Sequence, residues 1–150
     1  MNQPRQQIAI VTGASRGVGQ GVALALGAAG MTVYITGRAP AQGGSNLYGH
    51  ALHGSLEDTA AAITDAGGRG IAVVCDHADD AQVQALFSRV EEECGHLDLL
   101  VNNAAFIHDQ LIEPGPFWAK PLELVRILDV GLRSAYIASY YAAPYAGPCM

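Results

Sequence analysis

Short apolar runs alternate along the chain with longer stretches of helical periodicity. Four runs, at residues 8–11, 32–36, 71–75 and 97–101, are rich in β-branched and other apolar residues. Strands of this kind are typical of a parallel sheet that helices cover on both faces. The alternation of strands and helices therefore predicts an α/β fold built around one parallel sheet.

Three helices are predicted between these strands. The first spans residues 17–29. The second begins after Ser55, where Ser-Leu-Glu-Asp resembles a capping box, and it ends at Gly67. The third carries apolar residues at helical spacing over residues 83–94 and ends at Gly95.

The region after the fourth run predicts one more long helix. Pro121 suits a first helical position because it lacks a backbone N–H. An apolar stripe follows at helical spacing and consists of Leu122, Val125, Leu128, Leu132 and Tyr136. Residues 39–54, by contrast, are rich in Gly, Ser and Asn and predict a loop.

Composition excludes several classes of function. The 150 residues include 8 Lys and Arg against 14 Asp and Glu, a net charge of −6. We predict no nucleic-acid partner, because that affinity comes from clustered basic charge. The early apolar run is shorter than a secretory leader or a membrane span requires, so no membrane partner is predicted. Three cysteines without C-x-x-C spacing fit a reducing compartment, and a cytoplasmic location is expected.

A glycine-rich segment, Thr12 to Gly19, lies between the first strand and the first helix. Gly13 is expected to turn the chain off the strand, and Gly17 and Gly19 to remove Cβ atoms that would keep the backbone away from a pyrophosphate. The N-terminus of the next helix offers free N–H donors and partial positive charge. The segment therefore predicts a phosphate-binding loop, the alternative being a glycine-rich turn without a ligand.

This loop and later segments resemble the short-chain dehydrogenase/reductase family, and in particular its dehydrogenase/reductase member 1-like branch. The family carries T-G-x-x-x-G-x-G at this point. Asp76 stands where the family places an Asp that bonds the adenine amino group. Residues 98–105, DLLVNNAA, resemble the family segment D-x-L-V-N-N-A-G, with Ala105 in place of Gly. The resemblance implies a Rossmann-type doubly wound parallel sheet, incomplete here, with about four strands in the order 3-2-1-4 and their helices.

The resemblance also implies which residues hold a nicotinamide cofactor. The expected set is Gly13, Ser15, Arg16, Gly17, Val18, Gly19, Arg38, Asp76, His77, Asn103, Ala104 and Ala105. An acidic residue at the end of the second strand would bond the ribose 2′-OH of NAD and repel a 2′-phosphate. Gly37 stands there, Arg38 follows, and Arg16 lies in the glycine loop; the forked guanidinium group suits phosphate. We predict NADP(H), the alternative being that both arginines are solvated surface charges.

The family's Tyr-x-x-x-Lys helix and its preceding Ser have no counterpart in the chain. The one lysine, Lys120, lies upstream of Tyr140, Tyr141 and Tyr145. These tyrosines are expected to line the long helix and to pack on the sheet or on a partner. Gly131 replaces the Asn that organises the family's water relay. We predict no catalytic residue and no metal site, and expect residues 1–150 to be the N-terminal portion of an NADP-binding Rossmann domain, inactive alone.

The leading hypothesis is an NADP-dependent short-chain oxidoreductase that transfers hydride between NADPH and a small-molecule carbonyl or alcohol substrate. A homo-oligomer is expected for the full-length protein, because in the family the long helix often forms the subunit interface. One alternative is a non-catalytic NADP(H)-binding module or an inactive subunit that pairs with a complete relative. Another is a methyltransferase of related fold, which Gly37 disfavours because such enzymes prefer an acidic residue there.

Overall fold

The computed structural model describes residues 5–39 and 45–145. Its strands are β1 (Ile8–Val11), β2 (Thr32–Gly37), β3 (Ser45–Leu47), β4 (His50–Leu52), β5 (Arg69–Val74) and β6 (Leu99–Val101). Its α-helices are α1 (Gly17–Ala28), α2 (Leu56–Asp65), α3 (Asp80–Cys94) and α4 (Ser134–Ala142). Short helical turns connect β6 to α4 and follow α4.

Four parallel strands form the central sheet in the order β5-β2-β1-β6. Counted along the predicted strands this is the order 3-2-1-4, so the predicted incomplete Rossmann-type sheet is confirmed. Val11 at the end of β1 pairs with Ile35 of β2 and with Val101 of β6. The segments that follow the strands are therefore brought together at one edge, the carboxyl edge of the sheet.

The sheet separates two apolar layers because successive side chains of a strand point to opposite faces. Ile8 and Ile10 of β1 pack in one layer with Phe87 of α3 and Ala138 of α4. Ala9, Val11 and other inward residues of β1 and β2 pack in the second layer with residues of α1 and α2. Burial on both faces explains why β1 is apolar throughout and why β2 is mostly apolar. Each fully buried aliphatic side chain stabilises the fold by roughly 1.5–3 kcal/mol.

The prediction of a loop over residues 39–54 is wrong for residues 45–52. There β3 and β4 pair antiparallel, and Tyr48 and Gly49 join them. Tyr48 has a φ of 53° and Gly49 a φ of 74°, the two positive values that a tight hairpin turn of this type requires. The polar composition of the segment gave no sign of these two strands, which form a separate two-stranded sheet.

The prediction of one long helix after Pro121 is also wrong. The backbone leaves the helical region at Val130 (φ −109°, ψ 92°) and Gly131 (φ 151°, ψ −55°), so α4 begins only at Ser134. The carbonyl of Val130 accepts a hydrogen bond from the Phe106 N–H at 2.8 Å and so serves the preceding loop. Leu122 and Leu132 of the predicted apolar stripe are 87% and 69% exposed.

Asp98 ties the start of β1 to β6, and its removal is expected to cost about 1–3 kcal/mol of unfolding free energy. Its carboxylate accepts a hydrogen bond from the Ile8 N–H at 2.7 Å and pairs with Arg5. Asp98→Ala leaves that buried N–H without a partner. Urea unfolding measures the loss, and Asp65→Ala, at an exposed helix end, should stay within about 0.5 kcal/mol. Equal stability of the two variants would contradict this role of Asp98.

Candidate cofactor-binding site

The glycine-rich loop leaves β1 in a turn that Gly13 makes possible. Gly13 has a φ of 67°, which L side chains rarely adopt, so the predicted turn off the strand is confirmed. The Ala14 N–H donates to the Thr36 carbonyl at 2.9 Å, and the Thr12 N–H donates to the Val101 carbonyl at 3.0 Å. The loop is thus fastened to the ends of both neighbouring strands.

Two of the loop glycines face the segment that follows β6. A Cβ on Gly13 would lie 2.8 Å from the Ala104 Cα, and one on Gly19 would lie 2.3 Å from the Asn103 Nδ2. The missing side chain of Gly19 therefore makes room for Asn103, and the role of Gly19 beside a pyrophosphate stays a prediction. The two segments can approach each other only because both positions lack a side chain.

Gly17 and Val18 face outward instead. Gly17 has a φ of 60° and no atom within 4 Å of an added Cβ, and Val18 is 77% exposed. Helix α1 begins here without a capping side-chain hydrogen bond, whereas Ser55 caps α2 and Asp79 caps α3. The uncapped N-terminus of α1 can therefore offer its first N–H groups to a bound anion.

Thr12 and Asn103 join the loop to β6. The Thr12 Oγ1 accepts hydrogen bonds from the backbone N–H groups of Asn103 and Ala104, each at 2.9 Å. The Asn103 Nδ2 donates to the carbonyls of Thr12 at 3.0 Å and Gly13 at 2.9 Å. Both hydrogen bonds of the Asn103 amide nitrogen therefore hold the glycine-rich loop. The backbone of Ala104 lies next to Gly13.

The basic residues predicted to bind a 2′-phosphate have no protein partner in the part of the chain that the structure describes. Arg38 is exposed just after β2, and Arg16 is half-buried at the start of α1. Neither forms an ion pair or a side-chain hydrogen bond within residues 5–39 and 45–145. Gly37, the last residue of β2, packs against Leu56, whose Cδ2 would lie 3.3 Å from an added Cβ.

The end of β5 carries Asp76 and His77. The Asp76 Oδ1 accepts a hydrogen bond from the Ala78 N–H at 2.9 Å, which shapes the turn into α3. The His77 ring is buried and lies 2.7 Å from the Thr36 Oγ1 through Nε2. Burial lowers the pKa of His77, while the Asp76 carboxylate opposes that shift. Cys75 is buried, and burial raises the pKa of its thiol to about 11, as is typical of a structural cysteine.

The substitution of Ala105 for the family Gly is accommodated without strain. Among the described residues, Tyr48 is the one non-glycine residue with a positive φ, so Ala105 adopts ordinary backbone angles. Its methyl group is exposed. Gly131 differs, because its φ of 151° is one that L side chains rarely adopt. An Asn at this position would be strained in the backbone conformation that the chain has here.

Several contacts at this edge involve residues that the sequence did not single out. Gly54 passes so close to the loop that an added Cβ would lie 2.3 Å from the Ser15 carbonyl oxygen. The Asn102 Nδ2 donates to the Ser139 Oγ at 3.2 Å and links β6 to α4. The Tyr48 N–H donates to the Asp109 Oδ1 at 2.8 Å and connects the hairpin to the loop after β6. Of these residues, Asn102 lies in the segment 98–105 that resembles the family and Gly54 is a glycine, but neither feature indicates the contact that the residue makes.

The tyrosines and the lysine are used for packing and for loop structure. The Lys120 Nζ donates to the carbonyls of Gln110 at 3.1 Å and Leu111 at 2.9 Å. Tyr141 stacks on Phe87 with ring centroids 6.2 Å apart, as predicted for a residue that packs within the fold. Tyr140 instead is 65% exposed, so it does not pack on the sheet. The Tyr145 hydroxyl donates to the Glu91 carboxylate at 2.9 Å.

A parallel sheet whose first strand leads through a glycine-rich loop into an uncapped helix defines the Rossmann class of nucleotide-binding folds. Within that class the chain belongs to the short-chain dehydrogenase family, whose model matches residues 7–145. The sequence resemblance to this family, including its member 1-like branch, is confirmed.

The chain is 41% identical over 141 residues to dehydrogenase/reductase SDR family member 1 of Mus musculus, covering 91% of this chain and 41% of that protein. It is 31% identical over 150 residues to 1-cyclohexenylcarbonyl-CoA reductase of Streptomyces collinus, covering 91% and 49%. A solved Serratia marcescens short-chain dehydrogenase/reductase mutant superposes with a TM-score of 0.75 at 33% identity, covering 96% and 53%. The chain thus spans 41% to 49% of the length of these two curated relatives.

Two further features of the described ranges bear on the site. No helix there is both long and apolar enough to cross a membrane. The same residues contain no group of three His, Cys, Asp or Glu side chains that could hold a metal ion.

Proposed function

We propose that the chain binds NADP(H) at the carboxyl edge of its sheet, as the cofactor-binding portion of a short-chain oxidoreductase. The observation that carries the proposal is the N-terminus of α1, which has no capping side chain and follows a loop that is open to solvent at Gly17. Unused N–H donors and the helix dipole favour an anion at such a position by about 0.3–1 kcal/mol, and up to about 2 kcal/mol when partly buried. The pyrophosphate of a dinucleotide fits this place.

The proposed preference for NADP(H) over NAD(H) rests on Arg16 and Arg38. Both guanidinium groups are without a protein partner in the described ranges, so each is available for a 2′-phosphate. Gly37 offers no carboxylate that would bond a 2′-OH, and Leu56 crowds the space a side chain would enter. Hydrogen bonds to charged groups are worth about 1.5–3 kcal/mol, which corresponds to roughly 10- to 150-fold in affinity.

The other predicted residues divide between the two ends of the dinucleotide. Asp76 and the turn after β5 would receive the adenine, with the carboxylate accepting from its amino group. Ala104 and Ala105 would line the nicotinamide ribose, while Asn103 keeps them in place through its bonds to Thr12 and Gly13. When bound, the nicotinamide ring supplies or receives the hydride.

For the whole protein we propose hydride transfer between NADPH and a carbonyl or alcohol substrate. Residues 1–150 would then be the N-terminal, NADP-binding portion of the enzyme, inactive on their own. Two facts support this division: the chain spans 41% of the mouse relative, and it contains no Tyr-x-x-x-Lys segment.

A non-catalytic NADP(H)-binding module, or an inactive subunit that pairs with a complete relative, is the second candidate. Two observations favour this candidate. The one lysine, Lys120, donates to two loop carbonyls, so its ammonium is used for loop structure. Gly131 has a φ of 151°, which disfavours the Asn that the family uses in its water relay. In that case the site would hold the dinucleotide without turnover.

An assay of NADPH oxidation with a panel of aldehydes and ketones separates the two candidates. The native protein is purified, its intact mass is measured, and it is compared with a chain of residues 1–150. The enzyme proposal predicts a mass well above 15.6 kDa, turnover by the native protein and none by the 150 residues. NADPH binding without turnover by the native protein would favour the module instead, and turnover by the 150 residues alone would contradict the assigned division.

We also propose that the full-length protein is a cytoplasmic homo-oligomer. The exposed apolar side chains Leu132, Tyr136 and Tyr140, on and beside α4, support a second copy as the partner. The free thiols of Cys75 and Cys94 support a reducing compartment. Light scattering of the native protein tests the first point, and cell fractionation tests the second.

A further inference from the structure

The His77 side chain lies beneath the carboxyl edge of the sheet rather than on it. Its residue is 5% exposed, and its Nε2 lies 2.7 Å from the Oγ1 of Thr36, which is fully buried. Although the sequence placed His77 among the cofactor-binding residues, the ring points toward β2. Its polar contact is therefore with the protein.

Thr36 in turn holds the glycine loop at two points. The Gly13 N–H donates to the Thr36 Oγ1 at 3.4 Å, and the Ala14 N–H donates to the Thr36 carbonyl at 2.9 Å. Thr36 also directly precedes Gly37 and Arg38. Any shift of Thr36 would move both the pyrophosphate end of the proposed site and the arginine proposed to bind the 2′-phosphate.

The Thr36 hydroxyl can serve both partners, because it carries one O–H donor and two lone pairs. The Gly13 N–H occupies one lone pair, and the hydroxyl either donates its proton to the His77 Nε2 or accepts from an Nε2–H, depending on the imidazole tautomer. Burial, which lowers the pKa of His77, favours the neutral imidazole in either tautomer.

We propose that His77 is a positioning residue for the dinucleotide: through Thr36 it fixes the Gly13–Ala14 turn and the start of the Gly37–Arg38 segment, without touching the cofactor. The inference rests on the proposed function for its ligand. The proposed link runs from His77, which follows β5, through Thr36 of β2 to the loop after β1. Its loss would raise the Kd for the cofactor.

The test compares the full-length protein with His77→Phe, which removes the hydrogen-bonding nitrogen, and His77→Gln, which keeps a side chain that can donate or accept a hydrogen bond. Thr36→Val and Thr36→Ser remove and retain the other half of the bond. The measurements are the Kd for NADPH and the hydrogen-exchange rates of the Gly13 and Ala14 amides. His96→Gln is the control, because His96 is half-buried and bonds the Gln6 and Cys94 carbonyls, away from the carboxyl edge.

We expect His77→Phe and Thr36→Val each to raise the Kd for NADPH by roughly tenfold. The Kd of the double variant should be no higher than that of either single variant, because both substitutions remove the same bond. His77→Gln and Thr36→Ser should restore the affinity to within about threefold. Faster exchange of the two amides in His77→Phe would support the positioning role even if the native protein bound no dinucleotide, an outcome that would overturn only the proposed function. Unchanged Kd and unchanged exchange, with only a lower Tm, would overturn the positioning role.

If His77→Phe fails to fold, Thr36→Val with Thr36→Ser carries the same comparison. Equal Kd values and equal amide exchange rates in those two variants would likewise contradict the inference. An effect of His96→Gln as large as that of His77→Phe would show that general destabilisation, not the bond to Thr36, controls affinity.

Discussion

Gly19→Ala is expected to lower the free energy of unfolding by about 3–5 kcal/mol and to weaken dinucleotide binding at least tenfold. The added Cβ would lie 2.3 Å from the Asn103 Nδ2 and 2.6 Å from the Gly13 carbonyl oxygen. Overpacking of this kind typically costs about 1–3 kcal/mol. Moving Asn103 away would also break its bonds to the Thr12 and Gly13 carbonyls, each worth about 1 kcal/mol.

Gly21→Ala is the matched control for this prediction. Gly21 lies on the exposed side of α1, with no atom within 4 Å of an added Cβ. Replacing glycine by alanine inside a helix should stabilise it by about 0.5–1 kcal/mol. Urea unfolding of both variants gives the comparison. A Gly19→Ala protein as stable as Gly21→Ala would show that the loop and the segment after β6 do not pack as described.

Arg38→Ala is expected to raise the Kd for NADPH by roughly 10- to 150-fold and to leave the Kd for NADH within about threefold. The reason is that only NADPH carries the 2′-phosphate, and the Arg38 guanidinium has no ion-pair partner in the described ranges to compete for it. Fluorescence titration with each dinucleotide measures both constants. Because the free guanidinium is exposed, the fold should be as stable as before.

Arg89→Ala controls for the loss of one positive charge. Arg89 is exposed on α3 and pairs with Glu93, on a helix that packs against the sheet face. It should change neither dissociation constant by more than about twofold, since exposed ion pairs contribute little. If Arg38→Ala weakened NADPH and NADH equally, Arg38 would act on something common to both, and the 2′-phosphate role would fall to Arg16 or to neither.

The two central strands, β1 and β2, were predictable because they are buried on both faces. Ile8 to Val11 must all be apolar when two layers of helices cover the sheet, so the run itself reveals the strand. Right-handed crossovers between consecutive strands restrict the order further. The ends of α2 and α3 were predictable for a similar reason, since Ser55 caps its own helix and Gly95 ends its own helix.

The contacts that build the site were less predictable, because they join residues far apart in sequence. The spacing of Gly13, Gly17 and Gly19 shows that small residues are needed, but only the structure shows that Gly19 makes room for Asn103. Nothing in the sequence indicates that the Thr36 hydroxyl forms a hydrogen bond with the His77 ring. The break at Val130 was unpredictable for a different reason. Periodicity shows which side chains are apolar, but it does not show that the Val130 carbonyl accepts a hydrogen bond from the Phe106 N–H instead of one within a helix.

The central claim is that this edge of the sheet binds NADP(H), and a direct titration of the full-length protein tests it. NADPH, NADH and S-adenosylmethionine are titrated separately at one salt concentration, with heat of binding as the readout. The account predicts saturable binding of NADPH, roughly 10- to 150-fold tighter than that of NADH, and no binding of S-adenosylmethionine. Binding of S-adenosylmethionine without NADPH, or of neither dinucleotide by a folded protein, would contradict it.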